Sequence, residues 1–373
     1  MKTVDEFTDD FDEDPGYLDF ARVGPLGLAV IEEERGLNEL LRRARFGSLD
    51  TLDRQDLRVR DAVSALTGFR PDQVVFQPNT SSGLMHTMFG LTGGLAVSPA
   101  EYPAITFAAV RAQETLSVLH PVWLDGDGGK ITPGGIREQL TDDCGAVVVS
   151  LVDFRTGYLV DLEGIRQVIG DRLLIVDAVQ GFGIVDAPFE LADVVVSGGQ
   201  KWVRAGWGTG FMALSDRASD QLVPVFSGSN ATDEDFPIDV VLPPRRGAGA
   251  FSITTPSPIA EAVFATALED IFEVGVESIN ERLAEKVSEV LDLADEFGVP
   301  VTSSRAENER AGIVILRPAV DQLTVLTASL YNHGVTVTVR DGAVRLSPHI
   351  STNAETMAML RAAFVSFGTA ITI

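Results

Sequence analysis

The apolar residues of this chain fall into two alternating patterns. Short runs rich in Val, Ile and Leu at 73–77, 146–152, 172–177, 193–197 and 210–214 predict strands. Between them, 26–46, 53–67, 82–91, 105–116 and 161–169 predict helices. Strands that are apolar on both faces belong to a mainly parallel sheet covered by helices, so the expected fold class is α/β. In such sheets ligands sit at the carboxyl ends of the strands. Asp177, Asn79–Thr80 and residues 150–154 all fall at strand ends.

The pattern fades over 218–257. FSGSNATDEDFP (226–237) and LPPRRGAGAFSITTPSP (242–258) are rich in Pro, Gly and Ser and read as exposed connections. A connection of this length inside a compact chain is expected to be functional or covered by a partner. After it, helices are predicted at 258–273, 276–297 and 321–333. Strands are predicted in AGIVILRP (311–318), GVTVTVR (334–340) and AVRLS (343–347). The expected organisation is therefore an acidic arm over 1–16, a large α/β domain over 17–257 and a smaller α+β domain over 258–373.

Composition narrows the functions available. The chain has 373 residues, 45% of them hydrophobic and 22% charged, and a formal net charge of −25. Such a surface repels nucleic-acid phosphates and anionic lipids, which disfavours both as partners. A single cysteine, Cys144, excludes an internal disulfide and a thiolate metal cluster. The four histidines, His86, His120, His333 and His349, have no metal-ligand spacing, so no metal is expected. Residues 5–14 carry seven acids and little to bury, so the arm is expected to be loosely held and to be no targeting peptide. No apolar stretch reaches the roughly 18 residues of a membrane span. A cytoplasmic location is the default expectation.

Lysine supplies the first chemical signal. It occurs only at 2, 130, 201 and 286, arginine providing the other basic residues. Lys201 stands in VVVSGGQKWVRAGWGTGF (194–211), between two glycine clusters and beside an apolar run. A lysine withdrawn from water becomes nucleophilic and suits Schiff-base chemistry, although a turn lysine at the surface would have the same local sequence. Asp177 ends the β-branched run LLIVD, as strand-terminal acids commonly do, and is equally a suitable partner for a protonated pyridine nitrogen. Together the two residues suggest a pyridoxal-phosphate enzyme. VVFQPNTSSGL (74–84) places Thr80 and Ser81 at a helix start, where they fit either a phosphate site or an ordinary cap. Tyr102, before Pro103, would cover a ring face or belong to the core. GWGTG (206–210) precedes a strand and is a poor dinucleotide signature.

The segments VDAVQGFG, SGGQKWVRAGWGTGF, NTSSG, EYPAITF and VRLSPHISTN together resemble the class V aminotransferase family. These are fold-type I enzymes of the cysteine desulfurase and kynureninase type, and the likeness spans about 17–365. The resemblance implies pyridoxal 5'-phosphate held by Lys201, with Asp177 on the ring nitrogen, Gln180 near the phenolic oxygen and Tyr102 stacked on the ring. It implies phosphate contacts from Gln200 and, across a homodimer with shared active sites, from Thr255. It assigns the carboxylate of a small amino-acid substrate to Arg345. The implied cycle runs through an internal aldimine on Lys201 and a quinonoid stabilised by Asp177. Desulfurases carry Asn where this chain has Phe154, so that contact is absent or comes from Asp153. They also need a mobile-loop cysteine, whereas Cys144 precedes a large-domain strand, which disfavours persulfide chemistry. The position before Lys201 is Gln, where kynureninases usually carry Tyr, and this leaves the subfamily open. Trp202, Arg204, Arg22 and the 226–250 loop are expected to shape the substrate pocket. Amino transfer is the expected reaction. A kynureninase-like hydrolase or C–S lyase is the alternative, and a non-catalytic binding or regulatory protein is the alternative of another class.

Overall fold

The computed structural model of the chain describes residues 2–126, 129–233 and 239–371. Seven strands form the main sheet: β1 (Val74–Phe76), β2 (Gly93–Val97), β3 (Leu119–Trp123), β4 (Cys144–Ser150), β5 (Leu173–Asp177), β6 (Val194–Gly198) and β7 (Gly210–Leu214). Their order is β1-β7-β6-β5-β4-β2-β3. Only β7 runs antiparallel to its neighbours, so the sheet is mainly parallel as expected. Alternate residues of β4 and β5 enter two different cores. Val147, Val149, Leu174 and Val176 face one, and Ala146, Val148, Leu173 and Ile175 face the other. Helices cover both faces, and that is why these strands read as unbroken apolar runs.

The apolar pattern alone does not reveal β2 and β3. β2 opens on Gly93-Gly94, where the chain must pass close to its neighbour. A Cβ on Gly94 would lie 2.7 Å from the Asp143 carbonyl oxygen, and the pairing with β4 shifts register there. β3 is an edge strand interrupted by Pro121, a residue that edges tolerate.

The acidic arm is not loosely held. Residues Val4–Thr8 form a helix capped reciprocally by Thr3 and Glu6. Two aromatics in the acidic run supply its anchor. Phe7 is buried and meets Phe11 edge-on at a centroid distance of 5.0 Å. The segment after the arm then crosses to the small sheet, where bridges join Tyr17 to Thr336 and Asp19 to Ser347.

The 242–258 connection also differs from the expected exposed loop. Ala248, Ala250 and Phe251 are buried, and the Gln77 side-chain amide donates to the Phe251 carbonyl. Residues 234–238 of the 226–250 loop lie outside the described residues. The helix Pro258–Val274 packs on helices Gln55–Thr67 and Leu28–Arg43 rather than on the second sheet. That sheet consists of β8 (Val314–Leu316), β9 (Thr338–Arg340) and β10 (Ala343–Leu346) in the order β8-β10-β9. Helices Val276–Glu296, Leu323–Asn332 and Ala354–Ile371 complete this part. The last of them was not foreseen, because small and apolar residues all round it blur the helical period. Among the described residues no helix is long and apolar enough to cross a membrane.

Candidate active site

The carboxyl ends of β4 and β5 reach a small pocket that shares Tyr102, Phe154, Gln180 and Lys201 with a larger cavity of about 1140 Å³. Lys201 is delivered there by a turn that only glycine permits. A Cβ on Gly199 would sit 2.4 Å from Thr209 Oγ1 and 2.9 Å from the Phe264 ring. The Gly199 amide donates to the Thr209 carbonyl at 2.9 Å, which closes the turn onto the strand that follows. Lys201 Nζ lies 5.6 Å from the centroid of the Tyr102 ring. Removal from water pushes the ammonium down to about 8, against the pull of Asp177, and Arg345 adds to the depression. A neutral, nucleophilic amine is thereby accessible near physiological pH.

Asp177 ends β5, buried, in register with Ser150 of β4. The Val179 amide donates to its Oδ1 at 3.0 Å. Burial raises its carboxyl to about 6, which the Val179 hydrogen bond and Lys201 oppose. A cationic partner would restore its charge. Asp177, Tyr102, Gln180, Phe154 and Lys201 together line a narrow inner pocket beneath the main cavity. Tyr102 precedes the helix Pro103–Leu116 and meets Phe154 edge-on at 5.1 Å. Gln180 is held at both ends of its amide. Its Nε2 donates to the Ala21 carbonyl at 3.0 Å, and its Oε1 accepts from Trp202 Nε1 at 2.9 Å.

A group at the end of β6, outside the residues that line the cavity, has the character of an anion site. Asn79 caps the helix Thr80–Gly90 by accepting from the Ser82 amide, which places Thr80 and Ser81 in the first turn, where amide donors have no helical partner. Thr80 Oγ1 is buried and has no hydrogen-bond partner. A Cβ on Gly198 would meet Gln200 Oε1 at 2.4 Å and Thr80 Oγ1 at 3.0 Å, so these two side chains converge over a bare stretch of backbone. Ser81 is exposed at the same helix start.

Arg345, on β10, reaches the cavity with its side chain 13% exposed. Its guanidinium donates to Asp19 Oδ1 at 3.4 Å, Thr338 Oγ1 at 3.3 Å and the Phe154 carbonyl at 3.5 Å, while Nε is unpartnered.

Other expected residues lie elsewhere. Asp153 spends Oδ1 on its own turn, accepting from the Arg155 amide, the Thr156 amide and the Thr156 hydroxyl. It lines neither the cavity nor the inner pocket, and Phe154 occupies that wall instead. Thr255 is exposed in a separate pocket with Arg60, Arg245 and Glu261, outside this chain's own cavity. Trp202 and Arg204 are scaffold residues rather than pocket walls. Trp202 packs against Gly312, and Arg204 is buried on Glu13 at 2.5 Å and the Pro25 carbonyl at 2.5 Å. Arg22 does line the cavity.

Glu101 was given no role from the sequence. It is buried, accepting from the Ser150 amide at 3.0 Å and the Ser150 hydroxyl at 2.5 Å. This ties the residue before Tyr102 to the end of β4. Burial raises its carboxyl to about 7, against the two Ser150 hydrogen bonds, with Asp153 and Asp177 adding to the rise. Its sequence signal was only its place beside Tyr102 in EYPAITF.

The sequence profile of the aminotransferase class-V family matches residues 54–372. The chain belongs to that family, whose cofactor is pyridoxal 5'-phosphate. Among curated relatives, a kynureninase from Bacillus thuringiensis subsp. konkukian is 24% identical over 233 residues, covering 60% of this chain and 54% of the relative. A probable cysteine desulfurase from Methanothermobacter thermautotrophicus is 26% identical over 252 residues, covering 64% and 63%. These alignments thus span between about half and two thirds of the relatives' lengths. The fold matches the cystine C–S lyase C-DES, solved as a lysine-to-alanine mutant with glycine covalently linked to its PLP cofactor. The TM-score is 0.85 at 15% identity, covering 94% of this chain and 96% of that one.

The residues present fit the cofactor. The unpartnered Thr80 hydroxyl and the Gly198 backbone offer a phosphate cradle, and the buried Asp177 carboxylate shares the inner pocket with the Lys201 amine.

Proposed function

We propose that this chain is a pyridoxal-phosphate enzyme that removes the α-proton of a small amino acid and carries out amino transfer. The observation that carries the reading is that Lys201 lines both the inner pocket that holds Asp177 and the main cavity that holds Arg345. When bound, the cofactor supplies an aldehyde for an amine and an electron-withdrawing ring that acidifies the α-position. Lys201 Nζ accepts the α-proton, its lowered proton affinity letting it also give the proton back. Asp177 holds the proton on the ring nitrogen. Arg345 orients the substrate by its carboxylate, with Asp19 and Thr338 steadying the guanidinium. Tyr102 covers the ring site and excludes water. Glu101, through Ser150, holds the start of the Tyr102 helix against the sheet.

Amino transfer asks for one group that moves a proton between two carbons, and Lys201 suffices. Elimination or hydrolysis asks further for an acid or base beyond the α-carbon. A lyase or kynureninase-like reaction is the second reading, favoured by the curated relatives and by the likeness to C-DES. Persulfide transfer is disfavoured, since Cys144 is buried at the start of β4 and lines neither the cavity nor the inner pocket. A non-catalytic role is disfavoured by the retained Lys201, Asp177 and Arg345. The reading is tested by mixing the cofactor-loaded protein with amino acids, following the visible absorption band and analysing products. Keto acid is expected with an acceptor present. Sulfide, anthranilate or alanine without an acceptor would favour the second reading.

The active site is also proposed to be shared in a homodimer. Thr255 is exposed on a stretch whose own chain leaves it outside the cavity, and the resemblance sets it against a neighbour's phosphate. An obligate interface of this kind buries on the order of 2,000 Å² or more. Mixed Lys201→Ala and Thr255→Ala chains, each inactive alone, should regain activity in hybrid dimers. An active monomer in sedimentation at micromolar concentration would refute the shared site.

A further inference from the structure

The cavity exceeds the upper end of the roughly 300–1,000 Å³ range of small-molecule sites, so the cofactor and a small neutral amino acid would leave part of it empty. Its outer wall is one face of the small sheet. Arg345 pairs in register with Ile315 on one side and Thr338 on the other. Two residues earlier in β10, Ala343 pairs with Arg340, while Arg317 directly follows Leu316, the partner of Val344. Side chains two apart on a strand share a face, so Arg345, Arg340 and Arg317 present their guanidiniums to the same space. All three line the cavity, together with Arg22 and Arg155. With Lys201 that makes six cations, and among the described residues the lining carboxylates are Asp125 and Asp341.

The concentration is notable in a chain of net charge −25. More decisive is how poorly these arginines are paired. Among the described residues the nearest side-chain carboxylates lie 3.4 Å from Arg345, 3.6 Å from Arg340, 3.8 Å from Arg155 and 4.0 Å from Arg22. Arg317 donates to the Asp341 backbone carbonyl at 3.3 Å. Several arginines elsewhere close more tightly on their acids, as Arg58 does on Glu269 at 2.7 Å, Arg70 on Asp216 at 2.7 Å and Arg217 on Asp193 at 2.5 Å. The cavity guanidiniums therefore keep donors for a ligand. Arg340 also repels Arg345, which burial already holds below its ordinary value. Two residues of strand separate the Arg345 row from the Arg317 and Arg340 row, about 7 Å. A single carboxylate cannot satisfy both rows.

We infer that the substrate is an amino acid with a second anionic group at the end away from its α-carbon, held by Arg317 and Arg340 while Arg345 takes the α-carboxylate. The group is a carboxylate, sulfonate or phosphate, the anions that a guanidinium fork accepts. This assignment rests on the reading of the cavity as an amino-acid site.

The test titrates the cofactor-loaded protein with matched pairs: glutamate and glutamine, 2-aminoadipate and its side-chain amide, homocysteate and methionine, O-phosphoserine and serine. The shift of the visible band gives each affinity. In at least one pair the acidic member should bind about 10- to 100-fold more tightly, the size of a charge-assisted contact. Which pair shows the largest ratio distinguishes carboxylate, sulfonate and phosphate. The ratio should shrink with added salt and collapse in the Arg317→Gln/Arg340→Gln protein. The Arg317→Lys/Arg340→Lys protein should keep part of it, which separates loss of charge from loss of fold. Equal affinities in every pair, or a preference that survives the double glutamine variant, would overturn the inference and leave the amino-acid site standing. A band that no amino acid moves would overturn the functional reading and this inference with it.

Discussion

Replacing Lys201 with alanine should abolish turnover and all borohydride-fixable attachment of pyridoxal phosphate to the chain. Lys2 pairs with Asp270 at 3.2 Å, Lys130 with Glu309 at 2.7 Å and Lys286 with Glu289 at 3.3 Å, and none of the three lines the cavity. No other lysine is placed to substitute. The same geometry sets a pH dependence for the wild-type apo-protein. Only the neutral amine attacks an aldehyde, and Lys201 gives up its proton near 8 instead of 10.5. At pH 7.5 that raises the neutral fraction roughly 200-fold over an ordinary lysine. Cofactor uptake should accordingly accelerate with rising pH and level off above about 8. Mass spectrometry after borohydride treatment and stopped-flow uptake curves read these two outcomes. A fixed label on another of the variant's lysines, or uptake still climbing steeply at pH 10, would refute the role.

Replacing Asp177 with alanine should leave cofactor attachment to Lys201 intact while lowering turnover about 100- to 1,000-fold. A carboxylate about 4 Å from a cationic ring nitrogen contributes on the order of 4 kcal/mol at an effective dielectric near 20, before desolvation, and each 1.36 kcal/mol is a factor of ten in rate. The burial that raises Asp177 to about 6 makes it a poor anion alone and a strong partner once a cation arrives. Steady-state kinetics alongside borohydride fixation separate the two effects. Near-normal rates with the natural cofactor would show that ring protonation does not matter here.

The parts of this architecture legible in the chain were those with local causes. The runs at 146–152, 172–177 and 193–197 became the central strands β4, β5 and β6, because both faces of each are buried. Lys201 and Asp177 stood out because a glycine turn and a strand end are written in neighbouring residues. The two aromatics that pin the acidic arm were visible too, but the acids around them outweighed them in a reading by composition. Asp153 lies off both pockets for a related reason. An Asp followed by Arg-Thr-Gly closes its own turn, and that local hydrogen bonding competes with any ligand.

The site beyond those two residues depends on segments far apart in sequence. Asp19 steadies Arg345 across 326 residues, and Glu101 reaches Ser150 across 49. The arginines of the small sheet share a face only through the pairing of β8, β10 and β9, since strands of three or four residues have no period long enough to declare which side is buried. The sequence by itself pointed to the family, the cofactor and the two groups proposed to handle the proton. Their chemistry needs particular residue types at particular turns. Tertiary structure decided which charges are neutralised and which stay free, because pairing is a matter of distance in space. That difference turns five scattered arginines into one cationic wall.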